Sequence, residues 1–226
     1  MNVNDILKQK AAKAALEYVG NEQVLGIGTG STVNFFIQEL AKIKHRIDAC
    51  IASSVDTAKR LQALGIPVID LNSVTEIPLY IDSADEINQY GVMLKGGGGA
   101  LTREKLVASV SKQFICIVNE SKIVNNLGME FPIVVEVLPM ARSLVARELV
   151  KLNASPAYRA GFITDNGNII LDVHNIKILT PIKLEEELKL IPGVIESGLF
   201  AKRAADCIIS ANPHDIKIRI VNQKMD

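Results

Sequence analysis

The sequence has few aromatic residues and no excess of charge of either sign. Only 4% of its 226 residues are aromatic, and none is tryptophan. Lys+Arg and Asp+Glu number 25 each, so the formal net charge is zero. A neutral surface provides no general attraction to nucleic acid or to an acidic membrane. We therefore expect any anion-binding site to be local.

Membrane, secretion and metal signals are also missing. No stretch approaches the roughly 18–20 consecutive apolar residues of a membrane span, and residues 1–5 lack the basic-then-apolar order of a signal peptide. The three histidines lack metal-ligand spacing. Three cysteines lie far apart in apolar sequence, which predicts buried, reduced thiols: Cys50, Cys116 and Cys207. These absences predict a cytoplasmic protein without a metal site.

The order of predicted elements changes along the chain. Up to about residue 128, short apolar strands alternate with helices, which indicates a parallel sheet covered on both faces. Beyond it the pattern is α+β, and Asn166-Gly167 between the β-rich runs 162–165 and 169–172 predicts a hairpin. The strands predicted at 207–209 and 216–221 return to the first sheet. We thus predict an α/β fold with domains 1–128 plus 205–226 and 129–204, the second inserted into the first.

A glycine-rich segment, Gly26-Ile27-Gly28-Thr29-Gly30-Ser31-Thr32, follows the first predicted strand. Glycines let backbone N–H groups converge on an anion, and the hydroxyl groups stand at the start of a helix whose dipole favours negative charge. The spacing differs from that of dinucleotide-binding and Walker A loops. A phosphate fits this segment, and a glycine turn with a Ser/Thr helix cap is the alternative.

An acidic segment, Asp82-Ser83-Ala84-Asp85-Glu86, follows another apolar strand. The carboxyl edge of a parallel sheet is where ligands bind, so these carboxylates are candidates for proton transfer or for accepting sugar hydroxyl groups. A solvated loop is the alternative.

The third segment is Lys95-Gly96-Gly97-Gly98-Gly99, followed by a predicted helix that contains Glu104. Ordered glycines cost roughly 0.5–1 kcal/mol each relative to alanine, which favours a need for bare backbone near a ligand over a flexible hinge. Lys95 supplies a mobile cation there, and the Glu104 carboxylate can face the same crevice. We expect Arg103 and Lys105 on the solvated face of this helix.

Together, the three segments predict a site for a small sugar phosphate. Because no cofactor motif is present, the chemistry is restricted to proton transfer, hydrolysis or simple binding.

At these residues the sequence resembles the ribose-5-phosphate isomerases of the A type. The resemblance includes the segments described above and extends over nearly the whole chain, through the following blocks: Glu-Val-Leu-Pro-Met-Ala-Arg at 136–142, Thr-Asp-Asn-Gly-Asn at 164–168 and Ile-Pro-Gly-Val at 191–194. It implies an open Rossmann-like domain with a smaller inserted domain, assembled as a homodimer or dimer of dimers. It also implies interconversion of D-ribose 5-phosphate and D-ribulose 5-phosphate in the non-oxidative pentose phosphate pathway, without metal or cofactor.

The resemblance also assigns roles to residues. It implies that Glu104 is the catalytic base, with Asp82, Asp85 and Lys95 also catalytic. The substrate-binding residues that it implies are Lys8, Thr29, Gly30, Ser31, Thr32, Ser83, Ala84, Gly96, Gly97, Gly98 and Lys122. Lys8 is the weaker match, because Lys10 and Lys13 lie close to it.

The sequence departs from the family pattern at Ser83, where the family commonly has glycine. If that position requires a positive φ, serine costs about 1 kcal/mol or more there. A milder departure is Asn119 in place of the family's usual aspartate. Neither change removes a group with a catalytic role.

Two rival functions use the same kind of scaffold. A sugar-phosphate sensor of a transcription regulator should carry a helix-turn-helix module, and only about twenty residues precede the first predicted strand. A coenzyme A transferase-like enzyme would leave the spacing of Lys95 and Glu104 unexplained. An assay without added cofactor separates these possibilities.

Overall fold

The computed structural model describes residues 2–21 and 23–221. The chain divides by its contacts into two compact units, which we call the first and the second unit. The first unit comprises residues 1–84, 106–123 and 205–226, and the second comprises 85–105 and 124–204. The segment 85–105 therefore groups with residues 124–204, whereas the sequence-based domain limits placed it with the first domain.

The first unit contains a six-stranded, mostly parallel sheet. Its strand order is β13-β12-β6-β3-β1-β2. All neighbouring pairs are parallel except β12 and β13, which pair antiparallel at the edge. The strands are β1 (Gln23–Ile27), β2 (Ile47–Ala52), β3 (Ile77–Asp82), β6 (Ser111–Asn119), β12 (Cys207–Ala211) and β13 (Ile216–Ile220). The sequence-based expectation of an α/β fold with a parallel sheet is confirmed, and β12 and β13 return to this sheet as predicted.

Helices cover one face of this sheet through alternating apolar residues. Leu25 and Ile27 of β1 and Leu79 and Ile81 of β3 pack with buried residues of the helices in one core cluster. On the opposite face, the rings of Tyr80 and Phe114 lie 4.7 Å apart. The helices concerned are α1 (Val3–Ala15), α2 (Ser31–Leu40) and α3 (Val55–Ala63), and α4 (Leu101–Ser109) spans the limit between the two units.

The second unit combines two small sheets with helices. One sheet has the order β10-β7-β9-β8 and the other β11-β5-β4, and all their pairs are antiparallel. Its main core consists of aliphatic side chains of β7 and β9 packed with those of the helices. The elements are β4 (Glu86–Ile87), β5 (Met93–Leu94), β7 (Ile133–Val137), α5 (Arg142–Lys151), β8 (Ser155–Tyr158), β9 (Ile169–His174), α6 (Pro181–Lys189), β10 (Val194–Ser197) and β11 (Leu199–Phe200).

The hairpin predicted in this unit differs in its first strand. Residues 162–165 form no strand, and β9 pairs instead with β8. The predicted turn does close on itself, because the Thr164 N–H donates to the Asn168 carbonyl at 2.9 Å and Gly167 has a φ of 79°. The prediction was wrong because Thr164 and its neighbours bind a buried carboxylate rather than a strand partner.

The prediction of buried, reduced cysteines is confirmed. Cys50, Cys116 and Cys207 are free thiols, each fully buried within β2, β6 and β12 respectively. Burial raises the pKa of Cys50 to about 12 and also raises the pKa of Cys207.

The described residues contain neither a membrane-spanning helix nor a cluster of metal-binding side chains. No helix there is long and apolar enough to cross a membrane. Nor do His, Cys, Asp and Glu side chains form any group of three or more, within residues 2–21 and 23–221, that could hold a metal ion.

Candidate functional site

The predicted site residues are divided between the two units. In the first unit, the glycine-rich segment directly follows β1 and leads into α2. The residue that caps α2, Gly30, has a φ of 123°, a conformation that glycine adopts easily. Ser31 is exposed at the first position of the helix, and Thr32 is buried. Because the first N–H groups of a helix have no partner inside it, this end suits an anion.

Thr29 is held by neighbouring polar groups. Its hydroxyl lies 2.8 Å from that of Ser53 and 3.3 Å from that of Thr57. Its backbone N–H donates to Asp82 Oδ1 at 3.1 Å. The hydroxyl predicted to contact a ligand thus takes part in contacts that set the shape of the segment.

Asp82 ends β3 and is fully buried. Besides Thr29, its carboxylate accepts hydrogen bonds from the Ser83 N–H at 2.7 Å and from the Tyr80 hydroxyl. A Cβ atom at Gly28 would lie 1.9 Å from Asp82 Oδ1, so only glycine fits there. Asp82 therefore connects the end of β3 to the segment after β1.

The serine at position 83 is accommodated without a left-handed backbone. Among the described residues other than glycine, positive φ angles occur only at Asn153 and Asn175. The Ser83 side chain is half-buried, and Ala84 after it is buried. The strain that a positive φ would have caused at Ser83 is thus absent.

The two lysines predicted in the first unit lie on different elements. Lys122 is half-buried in a 3-10 helix, Glu120–Lys122, directly after β6. Because β6, β3 and β1 are adjacent parallel strands, their carboxyl ends lie at the same edge of the sheet. Lys122 is therefore at the same sheet edge as the two segments above. Lys8 lies on α1, with its Nζ 3.9 Å from Asp5 Oδ1.

In the second unit, the glycine run forms a tight loop between β5 and α4. Gly96 and Gly99 are buried, whereas Gly97 and Gly98 are exposed. The Gly97 N–H donates to Asp85 Oδ2 at 2.9 Å. A Cβ atom on Gly98 would meet no other atom within 4 Å. The exposed part of the loop thus has room for a molecule against its backbone.

Lys95 and Glu104 form a buried ion pair beside this loop. Their side chains are 3% and 5% exposed, and Lys95 Nζ lies 3.5 Å from Glu104 Oε1. The Phe200 ring centroid lies 5.7 Å from Nζ, and the Lys95 N–H donates to the Gly198 carbonyl at 2.8 Å. Lys95 is therefore a fixed, buried cation rather than a mobile one.

The expectation that Lys105 lies on a solvated helix face is wrong. Its side chain is 13% exposed, and Nζ donates to Glu185 at 2.7 Å and to Glu196 at 3.1 Å. Burial raises the pKa of Glu196, but the nearby Lys105 and other hydrogen-bond donors outweigh it and leave that pKa lowered. Arg103 is half-buried and donates to Asn166 and Asp165. Both side chains anchor the start of α4, the helix that carries Glu104.

Sequence comparison then identifies the family. Residues 49–214 match the family model described as ribose 5-phosphate isomerase A (phosphoriboisomerase A). A ribose-5-phosphate isomerase A of Legionella pneumophila strain Lens is 65% identical over 206 residues, which are 91% of this chain and 95% of the relative. The chain belongs to the ribose 5-phosphate isomerase A family.

Solved structures of family members share the whole fold. The ribose 5-phosphate isomerase A of Neisseria gonorrhoeae superposes with a TM-score of 0.95 at 44% identity, covering 99% of this chain and 100% of the other. A D-ribose-5-phosphate isomerase in complex with phospho-erythronic acid superposes with a TM-score of 0.92 at 36% identity, covering 97% and 100%. The fold and the family predicted from the sequence are both confirmed.

Two residues that hold the glycine loop and α4 were not predicted from the sequence. Glu136 of β7 is fully buried and accepts hydrogen bonds from Thr102, Thr164, Asn166 and Asn168. Arg159, directly after β8, binds the glycine loop. The signal for Glu136 was a charged residue inside an apolar strand, which requires buried partners. Arg159 had no such local signal.

Proposed function

We propose that Glu104 is the base with which this chain interconverts D-ribose 5-phosphate and D-ribulose 5-phosphate. The observation that carries the proposal is the buried Lys95–Glu104 pair beside the exposed backbone of Gly97 and Gly98. Membership of the ribose 5-phosphate isomerase A family gives the chain its activity: it is an isomerase that converts the aldose into the ketose and back.

The reaction moves one proton between adjacent carbons. Glu104 takes the proton from C2 of the open-chain aldose, and the electron pair of that C–H bond forms the C1–C2 double bond of an enediolate. The same carboxylate, now protonated, returns a proton to C1, while a hydroxyl proton moves from O2 to O1. A carbon acid is weak, so the oxygen that gains negative charge needs stabilisation.

In the proposal, Lys95 and the N–H groups of Gly96, Gly97 and Gly98 supply this stabilisation. The Gly97 N–H, which donates to Asp85 Oδ2 at 2.9 Å, is shared between that carboxylate and the reacting oxygen. A lysine in a buried position acts on developing charge more strongly than one in water. Lys95 is also the ion-pair partner of Glu104, so it holds the carboxylate near the same loop. The four groups together form an oxyanion-binding loop.

Asp82 and Asp85 assist the opening of the furanose ring and the transfer of hydroxyl protons. Asp85 contacts the glycine loop through the Gly97 N–H, which supports its place beside the reacting oxygens. Asp82 is held by Tyr80 and two backbone N–H groups, so its carboxylate has a defined direction.

The substrate phosphate is assigned to the end of α2. Backbone and hydroxyl donors of Thr29, Gly30, Ser31 and Thr32 would bind it, with Lys8 and Lys122 adding positive charge and Ser83 and Ala84 contacting the sugar. Binding energy at a phosphate remote from the reacting carbons orients the substrate.

The wider assignments follow the resemblance and the composition. We place the activity in the non-oxidative pentose phosphate pathway and the protein in the cytoplasm, as a homodimer or dimer of dimers without metal or cofactor. The relative in complex with phospho-erythronic acid supports a site of this chemistry, since that ligand combines a phosphate with a carboxylate that imitates an enediolate.

The proposed function is tested by following isotope from solvent into the sugar. Purified protein incubated with ribose 5-phosphate in D₂O, without added metal or cofactor, should produce ribulose 5-phosphate with deuterium at C1. NMR measures both conversion and incorporation. Conversion without any incorporation would contradict an enediolate formed by a solvent-exchanging base, and binding without conversion would favour the sensor alternative.

Two neighbouring glycines give a matched test of the loop. Gly98→Ala should fold normally, because its methyl group meets no other atom, yet lower kcat/KM by about tenfold or more, because the methyl occupies the space given to the substrate. Gly99→Ala should instead lose about 1–2 kcal/mol of stability, because Gly99 has a φ of 74° and faces the Phe162 ring.

Steady-state kinetics and thermal melting distinguish the two variants. A Gly98→Ala protein with unchanged kcat/KM would show that no substrate lies against this part of the loop.

A further inference from the structure

Arg159 connects the β8–β9 hairpin to the glycine loop. Its Nη1 lies 3.2 Å from the carbonyl oxygens of both Gly96 and Gly97. Its Nε and Nη2 donate to the two carboxylate oxygens of Asp172 at 2.9 and 2.5 Å. The Phe162 ring centroid lies 5.4 Å from Cζ. Asp172 and Phe162 therefore fix the guanidinium, and its third nitrogen, Nη1, binds the loop.

This contact determines where the loop's N–H groups point. In a trans peptide the carbonyl of one residue and the N–H of the next point in opposite directions. Arg159 attracts the Gly96 and Gly97 carbonyls, so the N–H groups of Gly97 and Gly98 are directed away from it. The Gly97 N–H indeed meets Asp85 on that other side, at 2.9 Å.

A run of glycines needs such a contact more than an ordinary loop does. Glycine loses more backbone freedom on ordering than any other residue, so a four-glycine loop would otherwise populate many peptide orientations. Hydrogen bonds to a charged group are roughly twice as strong as neutral ones. The guanidinium also polarises both peptides in the sense that makes their N–H groups better donors.

We propose that Arg159 is a positioning residue that orients and polarises the Gly97 and Gly98 N–H groups toward the oxyanion of the enediolate. This inference rests on the proposed function, because it assumes that the glycine loop stabilises the reacting oxygen. In this inference, Arg159 itself touches no reacting atom of the substrate. Asp172 serves by holding the guanidinium in place.

The test compares Arg159→Lys with Arg147→Lys, a matched control at an exposed position of α5. A lysine keeps the charge but cannot bind Asp172 through two nitrogens and the loop through a third. We expect kcat of Arg159→Lys to fall by about tenfold or more, since a misdirected oxyanion donor affects the transition state, with KM changed less than about threefold. Arg147→Lys should match the wild type.

Two inhibitors separate positioning from a general structural defect. Phospho-erythronic acid presents a carboxylate where the enediolate oxygens form, so its inhibition constant should rise by about the same factor as kcat/KM falls. Inorganic phosphate probes only the phosphate group, and its inhibition constant should stay unchanged. If both inhibitors weaken equally, or kcat is unchanged, the positioning role is wrong.

A second variant covers the case in which Arg159→Lys does not fold. Asp172→Asn removes the carboxylate's charge at constant size and should show the same selective loss at a smaller size, roughly threefold or more in kcat. A failure of the proposed function would be visible in the wild type, which would then not isomerise ribose 5-phosphate at all. A wild type that isomerises beside unaffected Arg159→Lys and Asp172→Asn variants overturns this inference alone.

Discussion

Glu104→Gln should lower kcat by about 10² or more, the usual scale for the loss of a general base, with little change in KM. Glutamine has nearly the size of glutamate and keeps a hydrogen-bonding oxygen near Lys95, but it cannot take a proton from carbon. Deuterium incorporation from D₂O should fall in proportion to turnover, because one group performs both steps.

The control for this variant is Glu148→Gln, the same chemical change on α5 at a residue that pairs with Lys151. It should keep wild-type kinetics. Because breaking a buried ion pair costs about 3–5 kcal/mol, thermal melting must show that Glu104→Gln is folded at the assay temperature. A folded variant with near wild-type turnover would mean that another residue is the base.

Glu136→Gln should lower the stability of the protein by about 2–4 kcal/mol. In the wild type, the neighbouring side chains donate hydrogen bonds to the Glu136 carboxylate; in the variant, the NH₂ group of glutamine would face these donors and leave some of them without an acceptor. The two Glu136 oxygens accept bonds from Thr102 of α4 and from Thr164, Asn166 and Asn168 of the β8–β9 connection. For a chain of this size, the melting temperature should fall by about 4–16 °C.

Differential scanning calorimetry measures this change, with Glu130→Gln at an exposed position as the control. Because Thr102 lies in the first turn of α4, two residues before Glu104, kcat should also decrease. An unchanged melting temperature would show that this buried network contributes no net stability.

Local chemistry made some parts of this protein predictable. The glycines and hydroxyl residues at 26–32 and the acidic residues at 82–86 follow apolar strands, and parallel strands end at one sheet edge. Their position in the structure matches that logic, and so does the burial of the cysteines. The order of residues along the chain carries this information because helix, strand and turn depend mainly on near neighbours.

The wrong expectations all concern partners that are distant in sequence. Residues 162–165 have a strand-like composition, but Thr164 binds Glu136 instead of a neighbouring strand. Lys105 directly follows two other charged residues, Arg103 and Glu104, as on a solvated helix. It nevertheless binds Glu185 and Glu196, which lie 80 and 91 residues away. A pattern of local polarity cannot show which distant carboxylate a lysine will meet.

The sequence by itself thus determined the family, the order of α/β elements and the residues that can carry the chemistry, because motifs and periodicity are properties of short segments. Tertiary structure alone decided how those residues are held: that Lys95 is buried against Glu104, that Arg159 binds the glycine carbonyls and that Glu136 secures the start of α4. The contacts of Arg159 and Glu136 join segments far apart in the chain. Lys95 and Glu104 are only nine residues apart, but Gly198 and Phe200, which also contact Lys95, come from a distant segment. Only the folded protein brings such segments together.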